Sequence, residues 1–151
     1  MKAVILAGGL GTRLMPFTQV LPKSLLPIGE SSVLETQILS FKKHGVDEIF
    51  IATNHMSDYI QAFLGTENKY GIPVRLSKET KPLGTCGPIG LLKDKLKEPF
   101  IVINGDILTT LDFAKIYDFA LNMDADLVVA TREIAPPFDF GKVISEGDYI
   151  T

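Results

Sequence analysis

The sequence predicts an α/β fold in which helices cover a mostly parallel sheet. Its first strand is an apolar, β-branched run from Ala3 to Leu6, which is typical of a strand buried on both faces. Short strand-like and helix-like segments then alternate along the chain, as they do in βαβ units. The 151 residues can form one substantial core. We therefore expect a single domain over residues 1–151.

The predicted elements alternate regularly after the first strand. A capping-box pair, Ser32 and Glu35, precedes an amphipathic helix that ends at Gly45. Further helices are predicted at 56–64, 87–96 and 112–123, strands at 48–53, 73–77, 99–103 and 126–131, and a hairpin turn at 146–148. This order indicates a Rossmann-like, three-layer α/β/α arrangement. Ligands of such sheets bind beyond the carboxyl ends of the strands, so we expect residues 7–13, 53–54 and 104–106 to meet there.

The charge balance excludes some classes of partner. The formal net charge of −3 gives no general attraction to nucleic acid or to an anionic membrane, so any cationic site must be local. One cysteine excludes an internal disulfide and suits a reducing compartment. The apolar start, Ala3 to Ala7, is too short for a signal peptide or a membrane span. The sequence therefore predicts a cytoplasmic protein without a membrane partner.

The loop after the first strand has the composition of a phosphate site. Gly8, Gly9 and Gly11 allow a tight bend whose N–H groups can approach an anion without a Cβ in the way. Arg13 adds a planar cation, and Lys23 follows between two prolines that stiffen the segment. We interpret this stretch as a polyphosphate-binding loop.

Two better-known phosphate loops do not fit. In a P-loop the Lys-Ser pair follows a glycine, whereas Lys23-Ser24 follows Pro22. A dinucleotide fingerprint needs a third glycine where Leu14 stands, and an acidic residue ending the second strand, which here ends in Thr53-Asn54. A dinucleotide-binding oxidoreductase is thus the weakest of the alternatives.

Two further segments carry residues for nucleotide and metal binding. The glycine- and proline-rich stretch 78–90 could read a base edge with Glu79 as acceptor, or could simply begin a helix. Its Cys86 is expected to be a small buried residue. Asp106 follows a buried strand and a glycine, which suits a Mg²⁺ ligand or a turn cap. His44 and His55 have no acidic or nucleophilic neighbour and are expected on the surface or in packing.

Together these segments resemble a known family. The run Leu6 to Leu14, then Pro16, Thr18, Pro22-Lys23 and Leu26-Pro27-Ile28, resembles the signature of the sugar-1-phosphate nucleotidylyltransferases. The pattern E-x-x-P-L-G-T-x-G from Glu79 is similar to the family's base-recognition loop, most like that of mannose-1-phosphate guanylyltransferases. The resemblance covers almost the whole chain and implies the nucleotide-diphospho-sugar transferase fold.

The resemblance also implies a reaction: a nucleoside triphosphate and a sugar 1-phosphate give a nucleotide sugar and pyrophosphate. Arg13 and Lys23 are the implied catalytic residues, Asp106 the ligand of Mg²⁺, and Gly141 a sugar contact. Direct attack by the sugar phosphate needs no protein nucleophile, which agrees with the lack of a nucleophilic triad. The implied nucleotide-binding residues are Leu6, Ala7, Gly8, Gly9, Gly11, Thr12, Arg13, Lys23, Glu79, Pro82, Gly84 and Thr85.

Several alternatives stay open at this point. GTP with mannose 1-phosphate fits the loop pattern best, but UTP or dTTP with glucose 1-phosphate also fits. Family members usually exceed 200 residues and carry later sugar-phosphate and metal ligands, so we expect a domain that is incomplete at its C-terminus. A non-catalytic nucleotide-binding regulatory or assembly subunit is the main alternative from another class. The oligomeric state is open, a homo-oligomer included.

Overall fold

A computed structural model of the chain describes residues 1–65, 69–133 and 143–150. Three one-turn 3-10 helices follow the first strand, at Thr12–Leu14, Phe17–Gln19 and Lys23–Leu25. The strands are β1 (Lys2–Leu6), β2 (Pro27–Ile28), β3 (Ser31–Ser32), β4 (Glu48–Thr53), β5 (Val74–Lys78), β6 (Phe100–Asn104), β7 (Ser145–Glu146) and β8 (Tyr149–Ile150). The α-helices are α1 (Val33–Lys43), α2 (Ser57–Leu64), α3 (Gly87–Gly90) and α4 (Phe113–Asn122).

Four parallel strands form the main sheet in the order β5-β4-β1-β6. The chain moves outward from β1 to β4 and β5, and then returns to place β6 on the other side of β1. The direction of strand addition therefore reverses between β1 and β6. Crevices at such switch points are where open α/β sheets bind ligands. The predicted parallel α/β sheet is confirmed.

The apolar core lies on both faces of this sheet, because side chains of buried parallel strands alternate between two covered faces. Helices α1, α2 and α4 cover one face, where Phe41 of α1 packs on Phe113 of α4 with ring centroids 4.4 Å apart. Leu92 and Leu96, which follow α3, cover Val4 and Phe50 on the other face. The three-layer arrangement predicted from the sequence is thus present.

Helix α1 begins and ends where the sequence predicts. The Ser32 side chain accepts a hydrogen bond from the Glu35 backbone N–H at 3.1 Å, which satisfies one of the free donors at the helix start. Gly45 has φ 82° just after the helix, a conformation that favours glycine. Asp112 caps α4 in the same way, accepting from the Lys115 N–H at 3.1 Å.

The predicted helix at 87–96 is only partly correct. It begins at Gly87, but regular α-helix ends at Gly90, and the chain continues in tighter turns with bonds such as Leu92 N–H to Ile89 C=O at 2.9 Å. Two glycines and a proline within four residues give this segment little helix propensity. Its apolar side chains still reach the sheet, which explains the helix-like pattern.

The predicted strand at 126–131 is wrong. No strand is assigned between 123 and 133, and Leu127 is 74% exposed. A short apolar run such as 127–130 forms a strand only where a neighbouring strand pairs with its backbone groups. Within the described ranges, β6 pairs with β1 alone. By contrast, the hairpin expected around 146–148 is confirmed as β7 and β8, with Gly147 at φ 61° in the turn.

No helix in the described ranges combines the length and the apolar character that crossing a bilayer requires.

Candidate functional site

A cavity of about 680 Å³ opens at the carboxyl ends of the parallel strands. Each strand of the sheet contributes residues at its carboxyl end or just beyond it, which is the edge where the sequence predicts the site. The lining comprises residues 6–11 at the end of β1 and after it, 23–24, 52 and 54–55 at the end of β4, 79, 82–85 and 88 after β5, and 104–106 at the end of β6 and after it.

Thr18 packs against the glycine loop and fixes its bend at Gly11. Gly11 has φ 62°, and a Cβ there would lie 2.7 Å from the Thr18 methyl group and 3.3 Å from Lys23 Cβ. The buried Thr18 hydroxyl donates to the Gly11 carbonyl at 2.8 Å. Only glycine fits this position, because both the backbone angle and the space exclude a side chain. The bend therefore holds Lys23 close to the loop.

Lys23 and Asp106 meet in the cavity although 83 residues separate them. The Lys23 ammonium forms an ion pair with Asp106 Oδ2, and about a third of each side chain is exposed, 35% and 39%. A cation and a carboxylate thus occupy the switch point between β1 and β6. An incoming phosphate and its metal ion would each find a partner of opposite charge there.

The turn that carries Asp106 is fixed to β1 and to α1. The Gly105 N–H donates to the Leu6 carbonyl at 2.8 Å, and a Cβ on Gly105 would lie 3.0 Å from that oxygen. Gln37 of α1 donates through Nε2 to the carbonyls of Asn104 and Ile107, at 2.9 and 2.7 Å. No sequence motif includes Gln37. The one feature that could have identified it is that it is a polar residue within the apolar stripe of α1.

Glu79 is a buried carboxylate at the cavity wall. It is 6% exposed, and Oε2 accepts from the Leu83 N–H at 2.9 Å, which closes the loop between them. The other oxygen, Oε1, lies 3.2 Å from the position of a Cβ on Gly8, so the two loops touch here. Carboxylates are rarely buried without a partner. No cation pairs with Glu79 within the described part of the chain.

The remaining predicted site residues divide into three groups. Those that line the cavity with the residues above are Leu6, Ala7, Gly8, Gly9, Pro82, Gly84 and Thr85. Thr12 and Arg13 lie outside the lining, in the exposed 3-10 turn just after Gly11, so Arg13 does not join Lys23 and Asp106 in the cavity wall. Gly141, the predicted sugar contact, lies outside the described residues.

Two minor predictions have different outcomes. Cys86 is exposed, so the expectation of a buried residue is wrong: the loop 84–86 runs along the surface at the cavity rim. His44 packs as expected, with its ring edge against Phe113 and Nδ1 2.8 Å from the Ser40 carbonyl. His55 is a surface residue as expected, but it also lines the cavity, a position that its sequence context did not indicate.

The donor set fits a metal ion that is shared with phosphate groups. No group of three or more His, Cys, Asp or Glu side chains that could hold a metal occurs in residues 1–65, 69–133 and 143–150. Asp106 offers one partly exposed carboxylate beside the glycine loop. Mg²⁺ is commonly bound by one or two carboxylates together with substrate phosphates and water. Asp106 meets that requirement, whereas a cage made of protein ligands alone does not form here.

Comparison with known proteins identifies the family. Residues 2–150 match the family described as Nucleotidyl transferase. The chain belongs to the nucleotidyl transferase family. Two relatives are "Probable mannose-1-phosphate guanylyltransferase 1" of Oryza sativa subsp. japonica, 37% identical over 98% of this chain, and "Mannose-1-phosphate guanylyltransferase 1" of Arabidopsis thaliana, 36% identical over 97%. This nucleotidyl transferase chain spans 42% of the length of each.

A solved structure supports the assignment of the nucleotidyl transferase fold. The structure of HddC from Yersinia pseudotuberculosis complexed with GMP-PN superposes with a TM-score of 0.71 and is 34% identical. The match covers 80% of this chain and 54% of HddC. The Rossmann-like fold predicted from the sequence is therefore confirmed, as is the resemblance to the sugar-1-phosphate nucleotidylyltransferases.

Proposed function

We propose that this chain is the nucleotide-binding part of an enzyme that transfers a nucleoside monophosphate from a nucleoside triphosphate to a sugar 1-phosphate. The observation that carries the proposal is the meeting of Lys23, Asp106 and the glycine loop in one cavity at the switch point of the sheet. Charge neutralisation and positioning are what phosphoryl and nucleotidyl transfer require from a protein. GTP and mannose 1-phosphate are the proposed substrates, because the relatives that match are named mannose-1-phosphate guanylyltransferases.

In this proposal the main chain of the first loop binds the triphosphate. The N–H groups of Gly8, Gly9 and Gly11 can donate directly to the phosphate oxygens, because no Cβ stands in the way. Thr12 and Arg13 lie at the outer end of the loop, where they would meet the leaving pyrophosphate. Arg13 is exposed and makes no ion pair among the described residues, so it can turn toward that group.

Lys23 and Asp106 hold the reacting end of the nucleotide. Lys23 would move from Asp106 to the α-phosphate and the attacking phosphate, which it can contact together because an ammonium has three donors. Asp106 would hold Mg²⁺, which when bound supplies positive charge to the phosphate oxygens. The attacking sugar phosphate is already ionised at neutral pH, so no side chain is required as a general base.

The base would lie against the second loop. Glu79 Oε1 faces Gly8 at the cavity wall, and Pro82, Gly84 and Thr85 form the wall beside it. A buried carboxylate oxygen can accept from the ring N–H and the amino group of guanine, whereas uracil and thymine present a single ring N–H at that edge. This difference favours GTP over UTP and dTTP. A cytoplasmic location, expected from the sequence, belongs to the same proposal.

A thermal-shift panel tests the proposal. The chain is heated with Mg²⁺ and each of GTP, UTP, dTTP, CTP and ATP, because a ligand that binds the folded state raises the midpoint. GTP is expected to raise it most. A larger shift with UTP or dTTP would redirect the proposal to glucose 1-phosphate, and no shift with any nucleotide would overturn it. Mass spectrometry for GDP-mannose then measures turnover, which we expect to be poor in these 151 residues alone.

A non-catalytic nucleotide-binding subunit of the same fold is the second candidate. The observation that favours it is the position of Arg13 outside the cavity lining. This candidate predicts nucleotide binding that Arg13→Ala leaves unchanged. The enzyme proposal predicts that the same variant binds pyrophosphate several-fold more weakly.

A further inference from the structure

We propose that Gln37 is a positioning residue, which fixes the turn that carries Asp106, the residue that would hold magnesium in the proposed function. The inference rests on the proposed function and adds to it a residue on α1, outside the cavity lining. Gln37 is 4% exposed and lies in the middle of that helix. It acts through the backbone on either side of Asp106.

The amide of Gln37 clamps that backbone. Its Nε2 donates to the carbonyls of Asn104 and Ile107, at 2.9 and 2.7 Å. An amide NH₂ has two hydrogens, and here each has one acceptor. The two carbonyls belong to the second residue before Asp106 and the first residue after it. One side chain thus fixes the peptide groups at both ends of the turn.

The other constraints on the turn come from the main chain. The Gly105 N–H donates to the Leu6 carbonyl at 2.8 Å, and the Ile107 N–H donates to the Asn104 carbonyl at 3.1 Å. These bonds set the path of the turn and engage the Asn104 carbonyl, but among the described residues they leave the Ile107 carbonyl without a main-chain donor and free to rotate. Gln37 removes that freedom. The backbone of Asp106 is then fixed in position, while the Asp106 side chain stays partly exposed beside Lys23.

The position on α1 argues against a role in helix packing alone. Leu34, Ile38 and Phe41 on the same face are fully buried, so an apolar residue would be the ordinary choice at 37. A buried amide is unfavourable unless its groups are bonded, and Gln37 Oε1 has no hydrogen-bond partner among the described residues. The benefit of this residue therefore lies in the two bonds to the turn.

Two variants and one control test the inference. Gln37→Met keeps the length of the side chain and removes both donors, and Gln37→Glu keeps the shape but turns an acceptor toward two carbonyls. Thr36→Val is the control, because it removes the 3.0 Å bond from the Thr36 hydroxyl to the Ser32 carbonyl on the same helix, away from the turn. Hydrogen exchange at Gly105 and Ile107 reports the clamp. Calorimetric affinity for GTP, measured once with Mg²⁺ and once with EDTA, reports metal positioning.

We expect both Gln37 variants to exchange faster at Gly105 and Ile107 while β4 keeps its protection. We also expect the gain in GTP affinity from Mg²⁺ to fall about tenfold, since residues that orient a metal ligand typically affect metal affinity by roughly 10- to 100-fold. Affinity in EDTA should stay within about twofold of the unmodified chain, as an interaction remote from the nucleotide contributes little directly. Thr36→Val should change neither quantity.

Other results decide against the inference in distinct ways. Unchanged exchange at the turn would overturn the clamp. Faster exchange with an unchanged magnesium effect, or equal losses with and without the metal, would assign Gln37 a purely structural role. If the unmodified chain gains no affinity from Mg²⁺ for GTP, UTP, dTTP, CTP or ATP, the proposed function fails, and the positioning role fails with it even if the turn loses protection.

Discussion

Two cavities at opposite ends of the same parallel sheet differ in how their charges are arranged. The cavity at the amino ends, about 470 Å³, is lined by four cationic and three anionic side chains. Most of these charged side chains form ion pairs with one another. The N···O distances are 2.8 Å for Arg75–Glu48, 3.2 Å for Lys2–Glu48 and 3.4 Å for Lys97–Asp94.

The cavity at the carboxyl ends contains fewer charges and more exposed main chain. Its charged side chains are Lys23, Asp106 and Glu79, set among glycines that leave peptide N–H groups accessible. Surface ion pairs in the first cavity contribute little and need no ligand. The density of charged residues therefore does not mark the proposed binding end of this sheet. That end is marked by open backbone beside one cation and two carboxylates.

The largest expected effect comes from removing the cation of the carboxyl-end cavity. Lys23→Ala should weaken binding of Mg²⁺-GTP by about 100-fold, or ~2.8 kcal/mol, because a hydrogen bond to a charged phosphate is lost in a partly enclosed site. Isothermal titration calorimetry measures it. Lys43→Ala, at the exposed end of α1, makes the same charge change outside the cavity lining. If the two variants weaken binding equally, Lys23 contributes only through the net charge of the chain and does not contact the nucleotide.

Substitutions of two glycines at the same end of the sheet should affect stability and GTP binding separately. Gly105→Ala should lower the free energy of unfolding by about 2 kcal/mol, because its Cβ would meet the Leu6 carbonyl oxygen at 3.0 Å and backbone cannot give way easily. Gly9→Ala meets nothing within 4 Å and should leave stability within about 0.5 kcal/mol, while it weakens GTP binding by occupying ligand space.

Urea denaturation and calorimetry of the two glycine variants give both quantities. A Gly9→Ala variant that binds GTP normally would contradict the close approach of the phosphates to this loop.

Variants of Glu79 test whether this buried carboxylate only closes the loop to Leu83 or also binds the base. Glu79→Gln retains an acceptor for the Leu83 N–H, so the loop should persist, but it places an amide donor at the wall. GTP affinity should fall about tenfold with little change in melting temperature, whereas Glu79→Ala should also lower the melting temperature, since the Leu83 N–H loses its partner. If Glu79→Gln binds GTP as the unmodified chain does, Glu79 has only the structural role.

The smallest effect belongs to the amino-end cavity. Burial opposes ionisation of Glu48, but Arg75 and Lys2 outweigh it and hold the pKa of the carboxyl below its ordinary value. A carboxyl whose pKa is lower in the folded state stabilises the fold above its unfolded pKa and loses that contribution as pH falls through the folded pKa. Stability should therefore decline by up to about 1 kcal/mol below pH 5 from this group.

Thermal melts of Glu48→Gln across pH 3–7 should show a flatter profile than the unmodified chain. Glu98→Gln, from the same cavity, is the control, because Glu98 forms no ion pair in the described part of the chain. A flatter profile in both variants, or in neither, would remove the special role of the Glu48 pairs.

Sequence reasoning succeeded where local chemistry determines the outcome. Glu48–Thr53 is a strand with the predicted bounds, and the cap by Ser32 lies where the spacing places it. The rule that carboxyl ends of parallel strands share an edge placed residues 104–106 beside the glycine loop. The family resemblance implied that Lys23 would join Asp106 there, and the two side chains do form an ion pair. These features depend on the chain's own pattern, or on geometry common to all sheets of this kind.

Prediction from the sequence failed where the outcome depends on structure that the local pattern does not specify. The segment 126–131 has a strand pattern, but a pattern does not supply the adjacent strand that its backbone needs. The position of Arg13 outside the cavity lining depends on the 3-10 turn after Gly11, which the motif does not specify. Gln37 was overlooked because its two acceptors lie about 70 residues away, on a turn that only the folded chain brings to α1.

The central position of β1 has a consequence for the energetics of ligand capture. Ala3, Val4 and Ile5 are fully buried, and the strand is hydrogen-bonded on both sides. Such a strand opens only when the whole domain unfolds, so the stem of the glycine loop is ordered before any ligand binds. The entropy lost in arranging that stem is spent during folding, and a nucleotide bound as proposed would meet a preorganised anchor.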